Sequence, residues 1–126
     1  TISRIMPVLK TISATVTHMG PVGCGQATKA VNQVMIAGIA ESVCEALALG
    51  EKLNLPSERL LSVVDAGVAG SWIVKHRGQT MLKSQSDVGF KPPFLLKDLL
   101  ICQSLAQDLN IPVPTGLIEL RRFEEI

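Results

Sequence analysis

The chain has 126 residues, 47% of them apolar and 18% charged, and carries a formal net charge of +1. This describes one globular domain, or part of one, with enough apolar mass to bury a core. No lysine–arginine run supplies the basic stripe that nucleic-acid binding needs. Three phenylalanines and one tryptophan are too few for a base-stacking platform.

Other classes are narrowed by single residues. The longest apolar run, Ala30 to Ala40, contains Asn32 and Gln33 and stops at Glu41, which argues against a bilayer span. Thr1-Ile2-Ser3-Arg4 leads into no apolar signal-peptide region. Cys24, Cys44 and Cys102 are an odd set without paired spacing, which fits a reducing, cytoplasmic compartment. His18 and His76 lack ligand neighbours at zinc spacing, so no metal is expected.

In chain order, Ile5, Val8, Leu9 and Ile12 recur at helical spacing, with Pro7 marking a start or kink. Ala14 to Met19 alternates in part like a short strand. A helix then a strand, at the very beginning, reads as the tail of an α/β unit. From Gln26 a continuous helix is predicted to run to near Leu53. Apolar residues cover nearly its whole circumference, so its surroundings must supply apolar partners. Asn54-Leu55-Pro56-Ser57 breaks it, Ser57 is a suitable N-cap, and Gly67 stops the next helix near Ala66. Gly70-Ser71 opens a fourth segment through Trp72, which ends before a polar loop from Lys83 to Asp87. Phe90-Lys91-Pro92-Pro93-Phe94 reads as a turn. Leu95 to Leu109 is predicted helical, and Thr115 is placed as the cap of a last helix. The fold class expected is all-α: a helical bundle around one long central helix.

The chemistry concentrates at 20–33, Gly-Pro-Val-Gly-Cys-Gly-Gln-Ala-Thr-Lys-Ala-Val-Asn-Gln. Lys29 lies at the start of a helix whose next ionisable side chain is Glu41. The positive end of the helix dipole favours loss of its proton, which suits acid–base work better than stability. Asn32 and Gln33 follow at i+3 and i+4, so three polar side chains share one face. A purely structural alternative is an exposed lysine with two amides capping the preceding loop. Gly20, Gly23 and Gly25 allow positive φ and close backbone approach, but their spacing is not the dinucleotide fingerprint. Lys97-Asp98 has an ordinary reading as a solvated lysine beside an acid near a helix start. Gly70-Ser71-Trp72 likewise reads as an N-cap and a core indole.

Taken together, these segments resemble the C-terminal helical domain of the β-hydroxyacid dehydrogenases, the family of 3-hydroxyisobutyrate dehydrogenase and tartronate semialdehyde reductase. The similarity runs from Gly20 to about Leu120 and is most specific in Gly-x-x-Gly-x-Gly-x-x-x-Lys-x-x-Asn-Gln. It is supported by Ala-Glu-Ser-Val-Cys-Glu-Ala-Leu-Ala-Leu-Gly at 40–50, Gly-Val-Ala-Gly-Ser-Trp at 67–72 and Leu-Lys-Asp-Leu at 96–99. It implies that residues 1–20 are the last helix and strand of a Rossmann domain and that 21–126 form the dehydrogenase and dimerisation domain. It implies a catalytic Lys29, and a substrate site with Asn32, Gln33, Gly23 and Gly25 and, at its wall, Ser71 and Trp72. Lys97 would reach the NAD or NADP cofactor, with Asp98 in support. The implied reaction is hydride transfer between that cofactor and a short β-hydroxy acid or its semialdehyde, in a cytoplasmic homodimer.

The departures shape the expectation too. There is no Gly-x-Gly-x-x-Gly after an initial strand, so the chain alone is expected neither to hold NAD(P) tightly nor to turn over substrate. A non-catalytic helical dimerisation module is the alternative, and convergence of Lys29, Asn32 and Lys97 on one cleft separates the two. A 6-phosphogluconate-type enzyme would need basic residues for the phosphate, and an imine reductase usually replaces the lysine.

Overall fold

A computed structural model describes residues 2–83, 92–116, 118 and 121. Five helices follow one another: α1 Ile2–Ile12, α2 Cys24–Lys52, α3 Ser57–Ala66, α4 Trp72–Leu82 and α5 Pro92–Asp108. The all-α expectation holds, and no strand occurs among the described residues. Residues 14–19, read as a strand, form no strand and are irregular. Alternation alone makes no strand where no second strand is present to accept its hydrogen bonds.

The long helix is a spine with two halves. Its N-terminal half buries Ala37 against Leu95 and Leu99 of α5. Its C-terminal half buries Val43 and Leu47 against Leu61 of α3 and Val74 of α4. Two cores on one rod explain why apolar residues surround it. Coverage is incomplete among the described residues, since Val31, Met35 and Leu49 remain exposed. By length and composition α2 is also apolar enough to cross a membrane, which its longest uninterrupted apolar run does not reveal. The core helix of a soluble domain meets the same criterion, and α2 packs on three other helices here.

Helix ends follow local chemistry. Gly23, at φ 99, caps α2, and Cys24 N donates to Pro21 O at 3.1 Å, so the helix begins two residues before the predicted Gln26. At its far end Asn54 adopts φ 54, with Leu55 N on Gly50 O and Asn54 N on Glu51 O. That is the paired-bond stop in which a left-handed residue satisfies the last carbonyls. Asn110 ends α5 the same way, through Ile111 N on Ala106 O and Asn110 N on Gln107 O.

Several expected boundaries move. Pro56, not Ser57, occupies the cap of α3, because the Pro56 carbonyl already accepts Leu60 N at 2.9 Å and draws Ser57 into the first turn. Pro92, Pro93 and Phe94 belong to α5 and not to a turn, since proline's missing N–H costs nothing in a first helical turn; Phe90 and Lys91 lie outside the described residues. Thr115 sits inside a helical stretch at 114–116, not at its cap, with its methyl group facing Gly38. Helix α1 runs through Pro7 without a break. It packs on none of the other four helices and buries none of its residues.

Candidate functional site

The packing of α5 on the first half of α2 brings Asp98 against residues that precede it by more than sixty positions. Lys29 Nζ lies 3.3 Å from Asp98 Oδ1 and 3.1 Å from Oδ2. Gln33 Nε2, one helical turn along, donates to Oδ2 at 2.7 Å. Lys97 Nζ donates to Oδ1 at 2.7 Å from the adjacent position on α5. One carboxylate therefore serves two ammonium groups and a carboxamide. The lone lysine expected at the head of α2 has a counter-ion. Only the fold reveals it, because the acid lies on another helix.

Burial and charge are arranged unevenly. The Asp98 side chain keeps 10% of its surface accessible, while Lys29 and Lys97 keep 55% and 60%. The carboxylate is thus the internal member, and the two lysine side chains reach it from a more exposed position. Hydrogen bonds from Lys97 and then Lys29 hold the Asp98 carboxyl down at about 2, against an opposing effect of burial and with further help from Gln33. Cys102, one turn beyond Asp98, is buried and donates its thiol to Ala30 O at 3.2 Å. Burial and then the Asp98 charge push that thiol up, so it is a packing residue and not a nucleophile.

These groups open on a cleft of about 510 Å³ lined by Gly23, Gln26, Lys29, Gln33, Lys97 and Asp98, with Ile101 and Leu105 as apolar wall. Five of the residues singled out from the sequence meet there: Lys29, Gln33, Gly23, Lys97 and Asp98. Four do not. Asn32 is exposed and lines no part of this cleft. Gly25 has open space where a Cβ would stand, so no close approach requires glycine there. Ser71 caps α4, accepting Val74 N at 3.1 Å, and borders a separate apolar groove between α2, α3 and α4. Trp72 is 63% exposed and not a core indole; it stacks on His76 at 4.5 Å, with the Arg77 guanidinium 5.8 Å from its ring.

The cleft also contains residues that the sequence reading passed over. Gln26 stands three positions before Lys29, hence on the same helix face, and Ile101 follows Lys97 at a four-residue spacing. Periodicity carried on from the two lysines would have found both.

Comparison with known proteins places the chain in a family. Residues 23–125 match the family described as NAD-binding of NADP-dependent 3-hydroxyisobutyrate dehydrogenase. An oxidoreductase of Synechocystis sp. is 37% identical over 109 residues, covering 86% of this chain and 37% of its own length. A 2-hydroxy-3-oxopropionate reductase of Escherichia coli is 31% identical over 111 residues, covering 88% of this chain and 38% of its own. The crystal structure of a 3-hydroxyisobutyrate dehydrogenase from Salmonella typhimurium superposes with a TM-score of 0.87 at 25% identity, over 98% of this chain and 44% of that one. The chain thus spans about two fifths of the length of the relatives it matches. Matched over most of its length, it belongs to the family of the NAD-binding domain of NADP-dependent 3-hydroxyisobutyrate dehydrogenase.

Proposed function

We propose that the chain is the C-terminal domain of an NAD(P)-dependent oxidoreductase acting on a short β-hydroxy acid or its semialdehyde, with Lys29 as general acid and base. The observation that carries this reading is the convergence of Lys29 and Lys97, from two helices, on one cleft around Asp98. A dimerisation module would not call for both lysines to line one cleft. The names of the Escherichia coli and Salmonella relatives supply the substrate class.

The residues present fit a nicotinamide dinucleotide. Lys97, with most of its side chain accessible, is placed to hold its polar groups, and Ile101 and Leu105 offer an apolar wall beside the cleft. Bound there, the nicotinamide would supply the hydride acceptor or donor. Lys29 Nζ takes the hydroxyl proton in oxidation and returns it to the carbonyl oxygen in reduction. Asp98 holds Lys29 in place by an ion pair, and Gly23 leaves the approach at the head of α2 free of a side chain.

Residues 1–20 are taken as the end of a preceding nucleotide-binding domain, in keeping with the isolation of α1. The exposed stripe of Val31, Met35 and Leu49 suits pairing of α2 with a second copy, and three cysteines not joined in disulfides suit a reducing cytoplasm. The reading needs no membrane or nucleic acid.

Lys29→Ala, made in the dehydrogenase that carries this domain, should lower kcat by about 10²–10⁴-fold while cofactor affinity persists. A near-normal kcat would refute the assignment. Sedimentation at micromolar concentration checks the dimer, and a monomer there argues against it.

A further inference from the structure

Asp98 is held unequally by its three partners. Gln33 on Oδ2 and Lys97 on Oδ1 both stand at 2.7 Å, within the range of strong charge-assisted bonds. Lys29 straddles the same two oxygens at 3.1 and 3.3 Å, outside that range. Gln33 is itself buried, and one N–H of its amide is committed to the carboxylate. A carboxamide used in this way has its geometry set by Asp98 before any substrate arrives.

A lysine that trades protons must be able to become neutral. Were Lys29 the sole partner of Asp98, that event would strand a buried carboxylate without a counter-charge, at a severe cost. Two tight bonds from elsewhere remove the difficulty. We propose that Gln33 and Lys97 are positioning residues: together they keep the Asp98 carboxylate charged and oriented, so that Lys29, its loosest partner, is left to exchange its proton. Gln33 thereby acts through Asp98. This rests on the acid–base role of Lys29 given above.

The groups facing Asp98 are Lys29 and Gln33 from α2, and Lys97 and the Cys102 thiol from α5. Lys97 is the first contributor to the low titration of Asp98, in line with its shorter bond.

The test is a titration of the Asp98 carboxyl carbon by NMR in this chain, which requires no turnover. In Lys29→Met, Asp98 should still titrate below its ordinary 3.8. In Lys97→Met, where the altered side chain is mostly exposed, it should rise further than in Lys29→Met. A return to 3.8 in Lys29→Met, or a smaller rise in Lys97→Met, overturns the proposal whatever the fate of the dehydrogenase reading. Gln33→Met keeps the side-chain length and removes the donor. In the dehydrogenase it should lower kcat with KM for the hydroxy acid unchanged; a raised KM at constant kcat would make Gln33 a substrate contact instead.

Discussion

Ala37 of α2 and Leu99 of α5 bury each other one helical turn beyond Gln33, with 0% and 1% of their surfaces exposed. This contact fixes the two helices that carry the charged cluster, because Leu99 directly follows Asp98 and Ala37 shares a face with Gln33. An alanine at 37 admits a leucine where a larger residue would separate the helices. Leu99→Ala should therefore cost about 2–5 kcal/mol, from lost burial and the cavity left behind. Urea unfolding checks it: the midpoint should fall with an unchanged slope.

The cluster also makes stability depend on acid. Asp98 titrates at about 2 in the folded chain against an ordinary 3.8. A depressed folded value means that the charged form stabilises the fold above the ordinary value, and that this contribution is lost as pH falls from 3.8 through about 2. Asp98→Asn should thus be less stable than the parent chain at about pH 5, with the gap closing as the pH drops. Denaturation midpoints of both proteins across that window decide it; a gap independent of pH would mean the aspartate acts by shape and not by charge.

Much of this arrangement was legible in the sequence, and the failures have physical causes. The long helix, its asparagine stop and the shared face of Lys29 and Gln33 follow from local rules, since the 3.6-residue period and left-handed asparagine are properties of a few neighbouring residues. Choosing between Asn32 and Gln33 needed to know which side of α2 meets α5, and sequence spacing admits both. The pairing of Lys29 with Asp98 spans 69 residues and leaves no trace in either local pattern. The strand at 14–19 failed for the reverse reason: its alternation is local, whereas a strand requires a neighbour.

Ser71 illustrates a residue with two readings of which one is visible. Its hydroxyl accepts Val74 N at the start of α4 and satisfies a donor that the helix leaves unpaired. Ser71→Ala should cost about 1 kcal/mol and Ser71→Asp should retain most of the stability. Thermal melts of the two variants distinguish a cap from a spectator: equal losses in both would show that the hydroxyl's bond to Val74 contributes nothing.

Gly78 of α4 faces the buried Leu61 of α3, and a Cβ built at Gly78 would collide with the leucine's Cδ2. Two effects of Gly78→Ala oppose each other. Helix propensity favours alanine by about 1 kcal/mol, whereas forcing a methyl group into a filled core costs about 1–3 kcal/mol. Leu61 packs among Val43, Leu47 and Val74, and turning its Cδ2 aside into the adjoining groove would give up those contacts, so the collision should win. The substitution is expected to destabilise the chain on its own. In a Leu61→Ala background the obstacle is gone, and the same change should become neutral or stabilising. A double-mutant cycle measures this directly. Equal costs of Gly78→Ala in the two backgrounds would show that some feature other than Leu61 demands glycine there.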